Sequence, residues 1–208
     1  MNSIPPTQPT LLVRIRDAHD QEAWDRFVDL YAPLVYGFLR KRGLQDADAA
    51  DLTQEVLRQV AVAAQRFEYD ERRGSFRGWL FKIVQNRLTD YWRQEGVRER
   101  GVGDTSAQQM INELPQPAAL DTSAEWEVDY QRQLLQFAAT IIKRDFSDVT
   151  WQAFWKTAVE GQSGKDVAEQ LGVSLATVYL AKGRVLTRLK DQIRLLVGDD
   201  DSMEKAWK

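Results

Sequence analysis

The residues with most scope for chemistry are cations at helical spacing: Lys182, Arg184 and Arg188 near one end of the chain, and Arg73, Arg77, Lys82, Arg87 and Arg93 in its middle. A guanidinium can hold a phosphate or grip a guanine edge through two parallel hydrogen bonds. That is the chemistry of binding. Bond-making chemistry has little to draw on. Cysteine is absent, and His19 is the single histidine, set among charged residues where it reads as plain surface. This excludes disulfides, thiolate metal sites and cysteine nucleophiles, and leaves one imidazole for any triad or metal cluster. No phosphate loop or nucleophile motif occurs. The expectation is a protein without catalytic activity, cofactor or metal.

A net charge of −3 conceals opposed blocks. Six acids face two bases from Gln45 to Asp70 (−4), eight bases face four acids from Glu71 to Arg100 (+4), and four bases stand without an acid from Ser174 to Lys190 (+4). Such blocks suit two kinds of partner, a protein surface for the acids and phosphates for the bases. With 43% hydrophobic and 28% charged residues, the composition is that of an ordinary globular chain. No apolar run approaches the roughly 18 residues that span a bilayer. Met1 to Thr10 is polar and Pro-rich, without the basic start and apolar core of a secretory signal. A cytoplasmic protein with no membrane insertion is expected.

The elements that must position these groups are helical, since strand-like alternation is absent. The expected fold class is all-α, two small helical domains joined by a flexible linker, the C-terminal one containing a helix-turn-helix. The expected boundaries are an N-terminal extension 1–19, a first domain 20–95, a linker 96–123, a second domain 124–198 and a tail 199–208. In the first domain, Ala23, Trp24, Phe27, Leu30, Tyr31, Leu34, Val35, Phe38 and Leu39 make one apolar stripe, with a kink or break expected at Pro33. Helices are expected next over about 46–67 and 76–95, separated by a short charged loop, Glu68 to Ser75. At helical spacing, Trp79 and Trp92 are expected in the core. In the second domain helices are expected over about 124–143, 147–160, 164–171 and 174–193, with Trp151, Phe154, Trp155 and Val159 turned inward.

The run Gly164-Lys165-Asp166-Val167-Ala168-Glu169-Gln170-Leu171-Gly172-Val173-Ser174-Leu175-Ala176-Thr177-Val178 is the most specific local motif. Small Ala168 lets a second helix approach, Gly172 supplies a left-handed turn, Val173 plugs the space between helices and Ser174 caps the second helix. Val178, Val185 and Leu189 anchor that helix. Its outer face is left to enter a major groove, with Ser174, Thr177, Lys182, Arg184 and Arg188 as candidate DNA contacts.

Together with this motif, Asp51-Leu52-Thr53-Gln54-Glu55-Val56 and Arg73-Gly74-Ser75-Phe76-Arg77-Gly78-Trp79-Leu80-Phe81-Lys82-Ile83 resemble the extracytoplasmic-function sigma factors of bacterial RNA polymerase, in the sigma-70 superfamily. The resemblance covers about residues 20–95 and 124–193. It implies a factor that binds core RNA polymerase and directs promoter recognition and melting. Asp51, Gln54 and Glu55 would dock on the clamp helices of the largest subunit. Arg73, Phe76, Arg77, Lys82, Asn86, Arg87 and Arg93 would take the minus-ten element as unpaired strand, with the loop Glu68 to Ser75 forming a pocket for a flipped base. The helix-turn-helix would read the minus-thirty-five element, and an anti-sigma protein is a further partner that the family implies. The acid-rich stretch Glu113, Asp121, Glu125, Glu127 and Asp129 would suit a path that mimics nucleic-acid charge.

The sequence departs from that pattern at Lys182, where such helices are usually apolar, and at Ala181, which is often basic. Two rival readings remain: a stand-alone helix-turn-helix transcriptional regulator, and a helical protein that sequesters polymerase without reading DNA.

Overall fold

The computed structural model describes residues 10–64, 76–98 and 122–197, with side chains placed in the middle stretch through residue 96. Arg73, the loop Glu68 to Ser75, Glu113, Asp121, the first nine residues, most of the expected linker and the tail lie outside the described residues. Every regular element among the described residues is a helix, so the all-α expectation holds.

The elements are α1 (Leu11–Arg14), α2 (Gln21–Lys41), α3 (Asp46–Ala64), α4 (Phe76–Arg98), α5 (Ser123–Ile142), α6 (Asp148–Phe154), α7 (Gly164–Leu171) and α8 (Leu175–Val197). They fall into two compact units, Arg14–Gln133 and Met1–Val13 with Leu134–Lys208. The first half of α5 thus belongs to one unit and its second half to the other.

In the unit Arg14–Gln133, Asp20 caps α2 by accepting a hydrogen bond from the Ala23 backbone N–H at 3.0 Å. Of the kink or break expected at Pro33, the break does not occur: α2 runs continuously to Lys41 with Pro33 inside it. Pro33 and Asp29 are both exposed, so the carbonyl that Pro33 leaves without a partner faces solvent, while Leu30, Tyr31, Leu34 and Val35 are buried on the opposite side. Burial of that stripe outweighs one missing backbone bond. Gly43 takes a φ of +88° and ends the segment. Phe27 and Phe38 from α2, Val56 and Val60 from α3, and Leu80 and Val84 from α4 are buried together. The α4 helix continues to Arg98, into the stretch expected to be linker.

The first half of α5 completes this core. Trp126 is buried with its ring 5.3 Å from both Phe38 and Phe81, and Tyr130 is buried and stacked 6.2 Å from Tyr31. Its acids ring this contact: Lys41 Nζ lies 2.7 Å from Asp129, an Arg42 nitrogen 2.8 Å from Glu125, and Arg77 Nε 2.8 Å from Glu127. Three of the acids expected to mimic nucleic-acid charge are therefore neutralised within the chain.

In the other unit, Ser147 and Ser163 cap α6 and α7. The helix of α6 loosens after Phe154 into a π-turn over Trp155–Val159. The extra residue per turn rotates the side chains toward the end of the turn, Val159 among them, while Trp155, its first residue, stays stacked on Trp151 at 6.0 Å. Ala153 and Phe154 are buried as the stripe requires, but Trp155 (38% exposed) and Val159 (55% exposed) face outward, against the expectation that both point inward.

Candidate nucleic-acid interface

Gly172 sits at the corner between α7 and α8 with a φ of +64°, and no heavy atom lies within 4 Å of where a Cβ would be. Glycine is required there by backbone conformation, not by crowding. Ser174 caps α8, its hydroxyl oxygen accepting from the Thr177 N–H at 3.1 Å and lying 2.8 Å from the Thr177 hydroxyl. Beneath the turn, Ala153, Val167, Ala168, Val178 and Ala181 form one buried cluster, with Leu171 and Val173 packed on it. These anchors fix the rotation of α8.

That rotation sorts the candidate contacts. Thr177 and Arg184 are exposed and share the outer face, seven residues apart. Lys182 does not join them. It stands four residues after Val178 and three before Val185, both buried, so its half-buried stem lies toward the core side. Arg188 is also committed: its Nε donates to Asp145 at 2.9 Å and its Nη1 to Gln192 at 3.3 Å, tying α8 to the 3₁₀ turn Lys143–Asp145. Sequence reasoning missed two exposed groups on this helix, Tyr179 and Leu180, at 61% and 62% exposure. Fixing Val178, Ala181 and Val185 inward was the signal that would have turned Leu180 outward.

On α4, Lys82, Asn86 and Arg93 are exposed at offsets of four and seven, with half-buried Trp79 three residues before Lys82. Together they form a cationic stripe with an aromatic at one end. Trp92, expected in the core, is 37% exposed. Phe76 is a correction. It is 6% exposed, 5.9 Å from Phe27 and 5.4 Å from Tyr31 ring to ring, and so fills the core where no base can reach its face. Arg77 points away from the Lys82 stripe, toward Glu127 of α5. Arg87 lies against α3, where its Nε donates to the Gln59 side chain at 3.0 Å. Arg93 pairs with Asp90 at 3.2 Å across one helical turn, an exposed contact that DNA phosphates would readily displace.

On α3, Asp51, Gln54 and Glu55 are all exposed, one turn of helix apart on a single face. Leu52, Val56 and Val60 hold the opposite face in the core. Thr53, buried between them, is satisfied by donating to the Ala49 carbonyl at 2.7 Å. At the start of α3, Asp46 accepts from the Tyr36 hydroxyl, a bond that pushes the phenol above its ordinary pKa. Glu55 and Arg58 border a groove with Gln59, Val62 and Arg87. The acidic face of α3 and the middle of α4 therefore adjoin at Arg87.

Among the described residues, no helix is long and apolar enough to cross a membrane, and no group of three or more acids and His is placed to hold a metal.

Comparison with known proteins accounts for this arrangement. Residues 27–98, which take in most of α2 and all of α3 and α4, match the Sigma-70 region 2 family. The chain is 26% identical over 196 residues to an ECF RNA polymerase sigma factor, SigE, of Mycolicibacterium smegmatis, covering 91% of this chain and 70% of that protein. It is 27% identical over 176 residues to the RNA polymerase sigma factor CnrH of Cupriavidus metallidurans, covering 82% and 86%. A shorter match, 35% identical over 85 residues, links it to the ECF RNA polymerase sigma factor RpoE of Cereibacter sphaeroides, covering 41% and 46%. The first two alignments are too long to be confined to residues 27–98 and extend the likeness into the unit that carries α7 and α8. Residues 27–98 thus match Sigma-70 region 2, and over most of its length the chain is similar to RNA polymerase sigma factors, including ones of the extracytoplasmic-function group.

Proposed function

We propose that this chain binds core RNA polymerase through the acidic face of α3 and carries it to promoter DNA. In this reading Asp51, Gln54 and Glu55 dock on a basic or polar polymerase surface. The α4 stripe of Lys82, Asn86 and Arg93 takes the minus-ten element as separated strand, where exposed bases can stack on Trp79 and a cationic groove tracks the backbone. The outer face of α8, with Thr177 and Arg184, enters the major groove of the minus-thirty-five element. Arg77, Arg87 and Arg188 act as positioning groups that hold helices together, and Lys182 reaches phosphate from the side of α8. The chain contributes affinity and melting, polymerase contributes the chemistry, and the site of action is the cytoplasm. An anti-sigma protein would act by covering these same faces.

The observation that carries the reading is the coexistence of three exposed faces on one chain: two acids one turn apart on α3, a cationic stripe on α4 and an outer face on α8 that presents Thr177 and Arg184. A stand-alone regulator has no use for the first, and a sequestering protein has none for the third. Run-off transcription with purified core polymerase tests it. The expected result is promoter-dependent transcript only when the chain is added. Promoter binding by the chain alone with no gain in initiation would favour the regulator, and polymerase binding with no promoter selectivity the sequestering protein.

A further inference from the structure

The outer face of α8 holds a large apolar side chain where a polar one would be expected. Leu180 is 62% exposed and stands three residues after Thr177 and four before Arg184, both exposed on the same face. A single exposed leucine is unremarkable by itself. This one lies between the two groups that would reach base edges or phosphates, so any duplex that engages both is pressed against Leu180. No acid occurs from Ser174 to Lys190, and of the two acids that border the groove shared by Leu180 and Arg184, Asp145 is paired with Arg188 and Asp191 lies 4.0 Å from Arg194. The neighbouring Tyr179 is turned to the start of α7: a Cβ built on Gly164 would lie 3.4 Å from its hydroxyl oxygen and 3.0 Å from Leu175 Cδ1. Leu180 is thus the large aliphatic side chain between Thr177 and Arg184, with exposed Tyr179 beside it at the edge of the same groove.

Base edges in the major groove present hydrogen-bond donors and acceptors, and among them one apolar feature, the C5-methyl of thymine. A leucine set against guanine or cytosine would desolvate polar edges without replacing their hydrogen bonds, whereas against the thymine methyl it buries apolar surface on both sides. We infer that Leu180 is a specificity-determining residue that reads a thymine methyl in the duplex bound by α8. The inference rests on the promoter-reading role proposed above and names one of its contacts.

The test uses holoenzyme assembled from the full chain and core polymerase. The upstream element is first defined by selection from a randomised duplex, and each of its thymines is then replaced in turn by deoxyuridine, which removes the methyl and nothing else. At one position the wild-type holoenzyme should bind about fourfold more weakly, the change expected for one buried methyl-sized group worth about 0.8 kcal/mol. Leu180→Ala should lose a similar factor on the thymine duplex and no longer distinguish thymine from uracil there. Because Leu180 is exposed, the circular dichroism spectrum and melting temperature of the variant should match the wild type, which separates a lost contact from a lost fold. Equal binding of thymine and uracil duplexes at every position, or discrimination that survives in Leu180→Ala, overturns the inference while leaving the promoter role standing. Holoenzyme that selects no upstream element overturns both.

Discussion

Replacing Trp126 by Ala tests whether the first half of α5 is part of the core of the unit Arg14–Gln133 or merely lies upon it. Trp126 is 2% exposed and touches Phe38 edge-on and Phe81 at a tilt, each with ring centroids 5.3 Å apart. Truncating a buried aromatic to Ala costs about 3–5 kcal/mol through lost transfer energy and the cavity left behind. The three ion pairs around it, Lys41–Asp129, Arg42–Glu125 and Arg77–Glu127, have partly exposed partners and contribute about 0–1 kcal/mol each, so they cannot hold the helix down unaided. A loss of about 4 kcal/mol with a urea m-value of about 2 kcal/mol/M moves the unfolding midpoint down by about 2 M. Because the chain has two units, a single global transition is not assured, and amide hydrogen exchange resolved by segment is the better assay. Protection should fall throughout α2, α3 and α4, and much less in α7. An unchanged urea midpoint, or protection lost only in α7 and α8, would refute the assignment of Trp126 to this core.

The same geometry sets four further outcomes. Arg184→Ala should weaken promoter binding and lower the slope of log affinity against log salt by about 0.9, as one lost phosphate contact requires, measured by fluorescence anisotropy across a salt series. Arg188→Ala should instead lower thermal stability slightly, by about 0–1 kcal/mol, since its partner is the half-exposed Asp145. The double substitution Asp51→Arg with Glu55→Arg should reduce affinity for core polymerase in a pull-down titration while leaving helical content unchanged, because both carboxylates are exposed. The ion pair with Arg14, then the Ala23 N–H, holds the Asp20 carboxyl below its ordinary range. Its folded-state pKa is depressed, so its contribution is complete above the unfolded value of about 3.9 and is lost as pH falls through the lower folded value. Melting temperature measured from pH 2 to 5 should therefore fall less steeply in Asp20→Asn than in the wild type.

What could be read in advance was what helical periodicity and capping chemistry decide locally. The stripes of α2 and α8, the cap at Ser174 and the glycine corner at Gly172 are set by neighbours within one or two turns, and the structure places each as expected. Whether Pro33 breaks α2 could not be read locally, because its cost depends on which side of the helix it falls, and that depends on the rest of the core. Val159 misled for a comparable reason, since one residue of π-turn shifts the register by an amount that no periodicity reports.

The candidate contacts divide into open and internally paired groups on a different criterion. A cation on a helix can face solvent or an acid from a distant segment, and spacing does not distinguish the two. Arg77 meets Glu127, fifty residues on, and Arg188 meets Asp145, forty-three residues back. The residues that remain on open faces, Lys82, Asn86, Thr177 and Arg184, have nearest neighbours within their own helices that settle their direction. The partition carries a mechanistic consequence. If α5 is anchored by Trp126, then Glu127 holds Arg77 on the far side of α4 from Lys82, and promoter DNA bound along the Lys82 stripe leaves that ion pair intact. Single-stranded minus-ten DNA should then be bound with the same affinity by Glu127→Gln as by the wild type, and a clear gain in that variant would show that α5 and DNA compete for Arg77.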